Sequence, residues 1–109
     1  MSSPSQNMVR EGRFAFRDPW LLFATIRLFA DRLELSGWHL CGRYHRCIPI
    51  EQVLRVDLLD HDGLRIRLSV GETVCLRIDR ALRWKEAIEA EVYLRRYKAR
   101  AAGRHLRRL

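Results

Sequence analysis

The fold is decided by residues 53–79, which read VLRVDLLDHDGLRIRLSVGETVCLRID. Apolar side chains alternate with polar ones along this stretch, and turn-forming residues at 61–63 and 71–72 divide it into three segments. The apolar positions that alternate have even numbers: Leu54, Val56, Leu58, Leu64, Ile66, Leu68, Val70, Val74, Leu76 and Ile78. Because the side chains of a strand alternate between its two faces, the stretch predicts three antiparallel strands with one face in a core.

The even numbering also predicts how the three strands pair. Partners across two strands must face the same way, so two even-numbered sets need a hairpin loop of odd length. We therefore predict that Leu58 pairs with Leu64. By the same rule Val70 pairs with Val74 through a three-residue turn at 71–73.

That register arranges the charged residues of the outer face into rows across the sheet. In one row the charges compensate, and it consists of Asp57, Arg65 and Asp79. The neighbouring row contains no acid and consists of Arg55, Arg67 and Arg77. Clustered guanidinium groups suit planar oxyanions, so we predict that the second row binds an anion or the acidic strip of a partner. The alternative is a solvated face whose charge is neutralised by its neighbours.

Weaker alternation extends the sheet towards the N-terminus. It predicts a strand over 22–28, a second one from residue 33 after a tight turn at 30–31, and a third one that closes at Ile50. Phe residues at 14 and 16 suggest one more short strand. The sequence therefore predicts six or seven antiparallel strands in all.

A C-terminal amphipathic helix follows the last strand, because the apolar spacing changes there to about 3.6 residues. Its inward positions are Ala81, Trp84, Ala87, Ile88 and Val92. Among these Trp84 is the one large anchor. We expect Asp79 to be the N-cap of the helix and Gly103 to end or fray it.

Four segments carry a resemblance to a known family. They read ADRLEL at 30–35, RCIPIEQV at 46–53, GLRIRL at 63–68 and RWKEAI at 83–88. Over residues 20–95 the chain resembles the pleckstrin-homology-like fold, particularly its small bacterial and GRAM-type members. The resemblance implies an α+β domain in which a bent sheet or partly open barrel of six or seven antiparallel strands is capped by one C-terminal helix.

Such a domain implies binding of lipid headgroups, peptides or further copies of itself. Family members that bind phosphoinositides use a basic patch around the loop that joins their first two strands. The two candidate loops here, at 18–19 and 30–31, each centre on an acid and contain no lysine, so specific phosphoinositide binding is not expected. We expect a flexible N-terminus over 1–12, a single domain over 13–97 and a basic tail over 98–109.

The formal net charge of +8 is concentrated near the C-terminus. Residues 1–94 contain all 13 acidic residues and 14 of the 21 basic ones, which leaves them with +1. The remaining cations are Arg95, Arg96, Lys98, Arg100, Arg104, Arg107 and Arg108. Three interpretations stay open for this stretch: it lies on an anionic membrane, it contacts nucleic-acid phosphates, or it is a disordered, solubilising end.

The N-terminal ten residues lack an apolar segment, which argues against a signal peptide or an anchor. Three cysteines at irregular spacing argue for reduced thiols and against a disulfide framework. These features predict a cytoplasmic protein, with peripheral contact at the inner face of the membrane as a further expectation.

Two His-x-Cys pairs surround Gly42 and form the sharpest chemical pattern: His39, Cys41, His45 and Cys47. On a three-residue loop, Cys41 would face His45 and His39 would face Cys47, giving four donors suited to zinc. The competing interpretation, which we favour, is that solvent-side positions of a hairpin hold these residues by chance, because a flat hairpin splays its ligands. We therefore expect no cofactor.

No catalytic template is matched, because the sequence lacks a strained nucleophile elbow, paired carboxylates in an apolar setting and a nucleotide-binding glycine loop. We expect a non-catalytic binding or scaffolding module without a small-molecule substrate. Its expected partner is a protein, a second copy of the chain or an anionic membrane surface. The alternatives are a nucleic-acid-associated protein that binds through its tail, and a small zinc-stabilised domain.

Overall fold

A computed structural model describes residues 8–16 and 21–107, with side chains described as far as residue 101. The strands are β1 (Met8–Phe16), β2 (Leu22–Phe29), β3 (Arg32–His39), β4 (Gly42–Pro49), β5 (Val53–Leu59), β6 (Gly63–Leu68) and β7 (Thr73–Ile78). A 3₁₀ turn (Ile50–Gln52) joins β4 to β5, and one helix, α1 (Ala81–Arg107), follows β7. The expected α+β architecture is confirmed.

The seven strands form one antiparallel sheet in the order β4-β3-β2-β1-β7-β6-β5. Strands β4 and β5 are consecutive in the chain and yet lie at the two ends of this order, so the sheet is not closed. Strand β1 links two halves of the sheet, one formed by β2–β4 and the other by β5–β7. The inner faces of both halves and the first half of α1 enclose a single apolar core. Helix α1 packs mainly on β5 and on the 3₁₀ turn.

Trp84 is the large side chain through which α1 packs against the sheet. Its side chain is buried, together with the other predicted inward positions Ala81, Ile88 and Val92. The indole lies over Gly12 of β1, where an added Cβ would approach its Cζ2 atom to 2.9 Å. The guanidinium of Arg10 stands 5.2 Å from the indole centroid. A glycine at position 12 therefore provides the space in which the ring sits.

Both expected ends of the helix are wrong. The amides of Arg83 and Trp84 donate to the carbonyl of Arg80 at 3.0 and 3.2 Å, so the N-cap position falls on Arg80 rather than on Asp79. At the other end α1 continues through Gly103 to Arg107. One glycine costs an exposed helix only about 1 kcal/mol, and the alanines before Gly103 favour helix.

The hairpin predictions are confirmed in part. Leu58 pairs with Leu64 as expected. In the β6–β7 hairpin, however, Val74 lies opposite Ile66, which makes the predicted pairing with Val70 wrong. The three-residue turn lies at 69–71, two residues earlier than predicted. The amide of Leu68 donates to the carbonyl of Glu72, and Gly71 adopts a φ of 92°.

Four apolar positions that were predicted to face inward are exposed: Leu22, Leu54, Leu58 and Val70. Irregularities in strand pairing explain two of them. A register shift between Val53 and Arg55 leaves Val53 only 1% exposed and turns Leu54 outward at 56%. A similar shift between Leu22 and Thr25 turns Leu22 outward, whereas Val70 stands in the β6–β7 loop.

Regular secondary structure extends beyond positions 13 and 97, and the predicted domain boundaries stay predictions. Strand β1 begins at Met8, which pairs with Phe29 of β2, so residues 8–12 belong to the sheet. Helix α1 includes residues 98–107 of the predicted tail. The remaining parts of the predicted N-terminus and tail, at 1–7 and 108–109, lie outside the described residues.

An ion pair spans the opening between the two halves of the sheet. Arg46 of β4 donates from Nη1 to Oε2 of Glu72 at 2.6 Å, and from Nη2 to the other oxygen of the same carboxylate. Glu72 lies in the β6–β7 loop, so this contact links the first half of the sheet to the second. The hydrogen bond from Arg46 lowers the pKa of Glu72 and outweighs the opposing effect of burial.

Trp84 packs closely against Gly12, so Gly12→Ala tests how much this contact contributes to the packing of α1 on the sheet. We expect the substitution to lower the free energy of unfolding by about 1–3 kcal/mol, since a well-packed ring must move to admit the methyl group. Chemical denaturation measures this cost. In a Trp84→Leu background the cost should fall, because the ring carbon is gone. An equal cost in both backgrounds would contradict the proposed contact.

The Arg46–Glu72 pair predicts a pH-dependent contribution to stability. The pKa of Glu72 is lowered in the folded state, so the contribution is present above the ordinary glutamate pKa of about 4.3 and is lost as pH falls through the folded value. Glu72→Gln should therefore lower the urea midpoint near neutral pH and match the wild type in acid. Glu86→Gln, on the exposed side of α1, is the control that should leave the midpoint unchanged at both pH values.

Candidate binding groove

The predicted row of three arginines is not one surface. Arg55 lies opposite Arg67, as expected. Arg67 in turn lies opposite Thr73, and Arg77 pairs with Gly63 at the far end of the strands and with Ala15 of β1. The shifted β6–β7 loop is the cause, because it moves β7 along β6. For the same reason, the expected compensated row is completed by Cys75 and not by Asp79.

Two of these arginines have carboxylate partners. Nε of Arg55 donates to Asp57 at 2.7 Å, and Arg65 contacts the same carboxylate at 3.5 Å. Burial by itself raises the pKa of Asp57, but hydrogen bonds and charge from both arginines outweigh it, and the pKa is lowered. Arg77 donates to Asp62 at 3.1 Å, and this hydrogen bond lowers the pKa of Asp62. A binding role for this set stays a prediction.

The four candidate zinc ligands do not share a face. The β3–β4 hairpin turns on two residues, Leu40 and Cys41, and its register places His45 opposite Ser36 and Cys47 opposite Glu34. His39 then belongs to the other face of β3, so the expected pairings across the hairpin are wrong. Within the described residues, no group of three or more His, Cys, Asp or Glu side chains is placed to hold a metal ion.

We call the segment from Arg95 to Arg108 the basic stretch. Its first residues contact the domain. Arg95 forms an ion pair with Glu51 of the 3₁₀ turn at 3.0 Å. Arg96 donates to the main-chain carbonyl of Val53 at 3.4 Å. The sequence alone does not reveal this attachment, because both contacts join residues that are more than forty positions apart. The side chains of Arg104 and Arg107 and the whole of Arg108 lie outside the described residues.

A groove of about 360 Å³ runs between β5 and the middle turns of α1. We call it the β5–α1 groove. The strand contributes Val53, Leu54, Arg55 and Val56. The helix contributes Glu89, Val92, Tyr93, Arg96, Tyr97 and Arg100. Buried valines from both elements form its floor, whereas Leu54, Tyr93 and Tyr97 are exposed and form its apolar walls.

Local sequence explains why these side chains meet. On the helix, Val92, Arg96 and Arg100 recur at four-residue spacing, as do Tyr93 and Tyr97, so both sets line the same side of α1. On the strand, the bulge after Val53 keeps one valine in the core and turns Leu54 towards the groove. The groove thus results from the four-residue spacing on α1 and from the bulge in β5.

The β5–α1 groove combines an unpaired strand edge with positive charge. Within the described chain, β5 has a hydrogen-bonded neighbour on one side only, namely β6. Three arginines line the groove against one acid, Glu89, and that acid already bonds to Lys85 at 2.9 Å. The arrangement suits an extended, acidic chain with some apolar side chains.

A second hollow, of about 420 Å³, lies at the β5–β6 turn. It is lined by Leu59, Asp60, Asp62, Gly63, Cys75, Leu76 and Arg77. Its arginine and one of its two acids are already paired with each other, and β5 contributes only its last residue, Leu59. The β5–α1 groove is therefore the stronger candidate, although its volume is smaller.

The chain matches no model of a known protein family and no curated protein sequence. Its architecture agrees with the one that the resemblance to the pleckstrin-homology-like fold implies, but membership of that family stays a prediction. Among the described residues, no helix is long and apolar enough to cross a membrane.

Proposed function

We propose that the protein is a non-catalytic binding module that takes an extended segment of a protein partner into the β5–α1 groove. One observation carries the proposal: an unpaired edge strand borders a groove that has aromatic walls and arginines. A peptide that pairs with such an edge gains main-chain hydrogen bonds from the strand, and its alternate side chains fill the groove. The resemblance to a family that includes peptide-binding domains supports the same function.

The apolar part of the recognition comes from Leu54 and the two tyrosines. Leu54 is half-exposed although Val53 and Val56 of the same strand are buried. Tyr93 and Tyr97 line the groove from the same side of the helix. Tyrosine provides a large contact area at a low cost in side-chain entropy, and it is enriched at interfaces. Every second side chain of the added strand would contact this surface.

The charged part of the recognition favours an acidic segment. Arg96 and Arg100 belong to a helical stretch that contains no carboxylate after Glu91. Arg55 shares Asp57 with Arg65 and is therefore only partly compensated. A segment that alternates acidic and apolar residues satisfies both parts of the groove.

Other expected partners are compatible with the same edge. A second copy of the chain could supply the added strand, because β4 is also unpaired on one side within the described residues. Peripheral contact with an anionic membrane and binding of nucleic acid through the basic stretch stay predictions. The zinc-stabilised domain is not proposed, because its ligands lie on different faces.

A labelled peptide that alternates glutamate and leucine tests the proposal by fluorescence anisotropy. We expect it to bind, and its lysine–leucine counterpart to bind much more weakly. The double variant Arg96→Glu, Arg100→Glu should weaken binding by about tenfold or more, since two favourable charge contacts become repulsive. Arg83→Glu reverses one charge on the same helix but outside the groove, and should retain wild-type affinity.

Methylating alternate main-chain nitrogens of the glutamate–leucine peptide separates strand addition from simple charge attraction. Methylation on the side that faces β5 should abolish binding, whereas methylation on the other side should have little effect. Equal binding of both methylated forms, or equal binding by wild type and the double variant, would refute the proposed site. Light scattering of the free protein reports self-association independently.

A further inference from the structure

Four exposed apolar side chains cluster at one end of the β2–β3–β4 half of the sheet, away from the β5–α1 groove. They are Leu22, Phe23, Trp38 and Leu40, and we call them the apolar tip. Phe23 is 81% exposed, and Leu40 is fully exposed. We propose that the apolar tip inserts into the surface of an anionic lipid bilayer. This inference does not depend on the proposed peptide site.

The fold brings the four residues of the tip together. Leu22 lies directly opposite Trp38 in the β2–β3 register. Phe23 stands beside them in the irregular part of β2, with its backbone at φ 52°. Leu40 is one of the two residues of the β3–β4 turn, at the end of the strand that carries Trp38.

The backbone of Phe23 points to a role for its exposure. A bulky side chain adopts a left-handed conformation only at an energetic cost. The cost brings no packing in return, because the ring remains exposed to solvent. Strained backbone with no structural benefit is typical of functional sites.

Behind the tip, the balance of positive and negative charge changes from row to row along the strands. Furthest from it is a compensated row, in which Arg27 bonds to Glu11 at 2.6 Å and Glu34 pairs with Arg32 at 2.6 Å. The next row towards the tip contains no acid and consists of Arg13, Thr25, Ser36 and His45. His45 lies 4.0 Å from Glu34 of the compensated row.

Among the described residues, the row of the tip itself also contains a cation but no acid. Arg43 lies opposite Trp38, and its guanidinium stands 5.5 Å from the indole centroid. In the part of the chain that the structure describes, neither Arg13 nor Arg43 takes part in an ion pair. Both cations are therefore available to an external anion.

The order of these groups matches the layers of a bilayer surface. The Arg13 row lies two residues behind Trp38, which is a distance of about 7 Å along a strand. Apolar groups of interfacial proteins are buried about 5–10 Å into the headgroup and acyl boundary. When the tip is immersed to that depth, Arg13 lies at the level of the lipid phosphates, and the long side chain of Arg43 extends towards the same level. Tryptophan is also enriched at this boundary.

The arrangement of apolar and positively charged groups indicates that the partner of the apolar tip is a lipid surface. An apolar cluster bordered by cations requires a partner that presents an apolar layer directly beneath a layer of anions. An anionic bilayer presents these two layers everywhere on its surface, without a specific headgroup pocket. The site therefore differs from the basic stretch, to which the sequence alone would assign membrane contact.

Co-sedimentation of the full chain with vesicles tests the proposal. We use phosphatidylcholine alone and phosphatidylcholine mixed equally with phosphatidylglycerol, and expect binding to the mixed vesicles. Leu40→Asp should reduce the bound fraction at least tenfold, and since Leu40 is fully exposed the variant should fold normally, as circular dichroism will verify. The control Val70→Asp makes the same kind of change in another exposed loop and should bind like the wild type.

Two further measurements distinguish the tip from the basic stretch. Neutralising Arg104, Arg107 and Arg108 to glutamine should retain tip-dependent binding. Brominated lipid should quench the fluorescence of Trp38, measured as the difference between wild type and Trp38→Phe. The proposal is overturned if neither vesicle binds, if Leu40→Asp binds like the wild type, or if Trp38 is not quenched in the bound state.

Discussion

The contact of Trp84 with Gly12 is the interaction on which the rest of the structure depends. It joins the helix to β1, and β1 is the strand that links the two halves of the sheet through β2 and β7. With the indole fixed there, the later turns of α1 lie along β5, and the walls of the groove are brought into position. Core packing at one end of the helix thus determines the chemistry that is available at the other.

The open sheet imposes a second constraint. A closed barrel would leave no strand edge, whereas here β4 and β5 remain at the ends of the order. The Arg46–Glu72 pair bridges the opening with side chains instead of main-chain hydrogen bonds. This leaves β5 without a second strand partner in the described chain, while a side-chain contact still joins the two halves.

The architecture follows from periodicity, but the candidate sites do not. Alternation at 53–79 predicts three strands, and the pairing of Leu58 with Leu64 follows from parity together with the turn-forming residues at 61–63. Parity does not locate a loop, so the β6–β7 turn at Gly71 and the two-residue turn at Leu40 both differ from expectation. Bulges likewise turn Leu54 and Leu22 from the core towards solvent. Leu54 lines the groove, and Leu22 belongs to the tip. Both proposed binding surfaces lie where the regular pattern is interrupted.

The continuity of α1 has an electrostatic consequence. Six of the seven cations of the basic stretch lie on helical residues, and the contacts of Arg95 and Arg96 fix the helix to the domain. The positive charge is therefore held in a constant direction relative to a nearly neutral body, and the molecule has a large permanent dipole. Such a molecule is turned by the field of a polyanion while it still diffuses, so its orientation is selected before any contact forms.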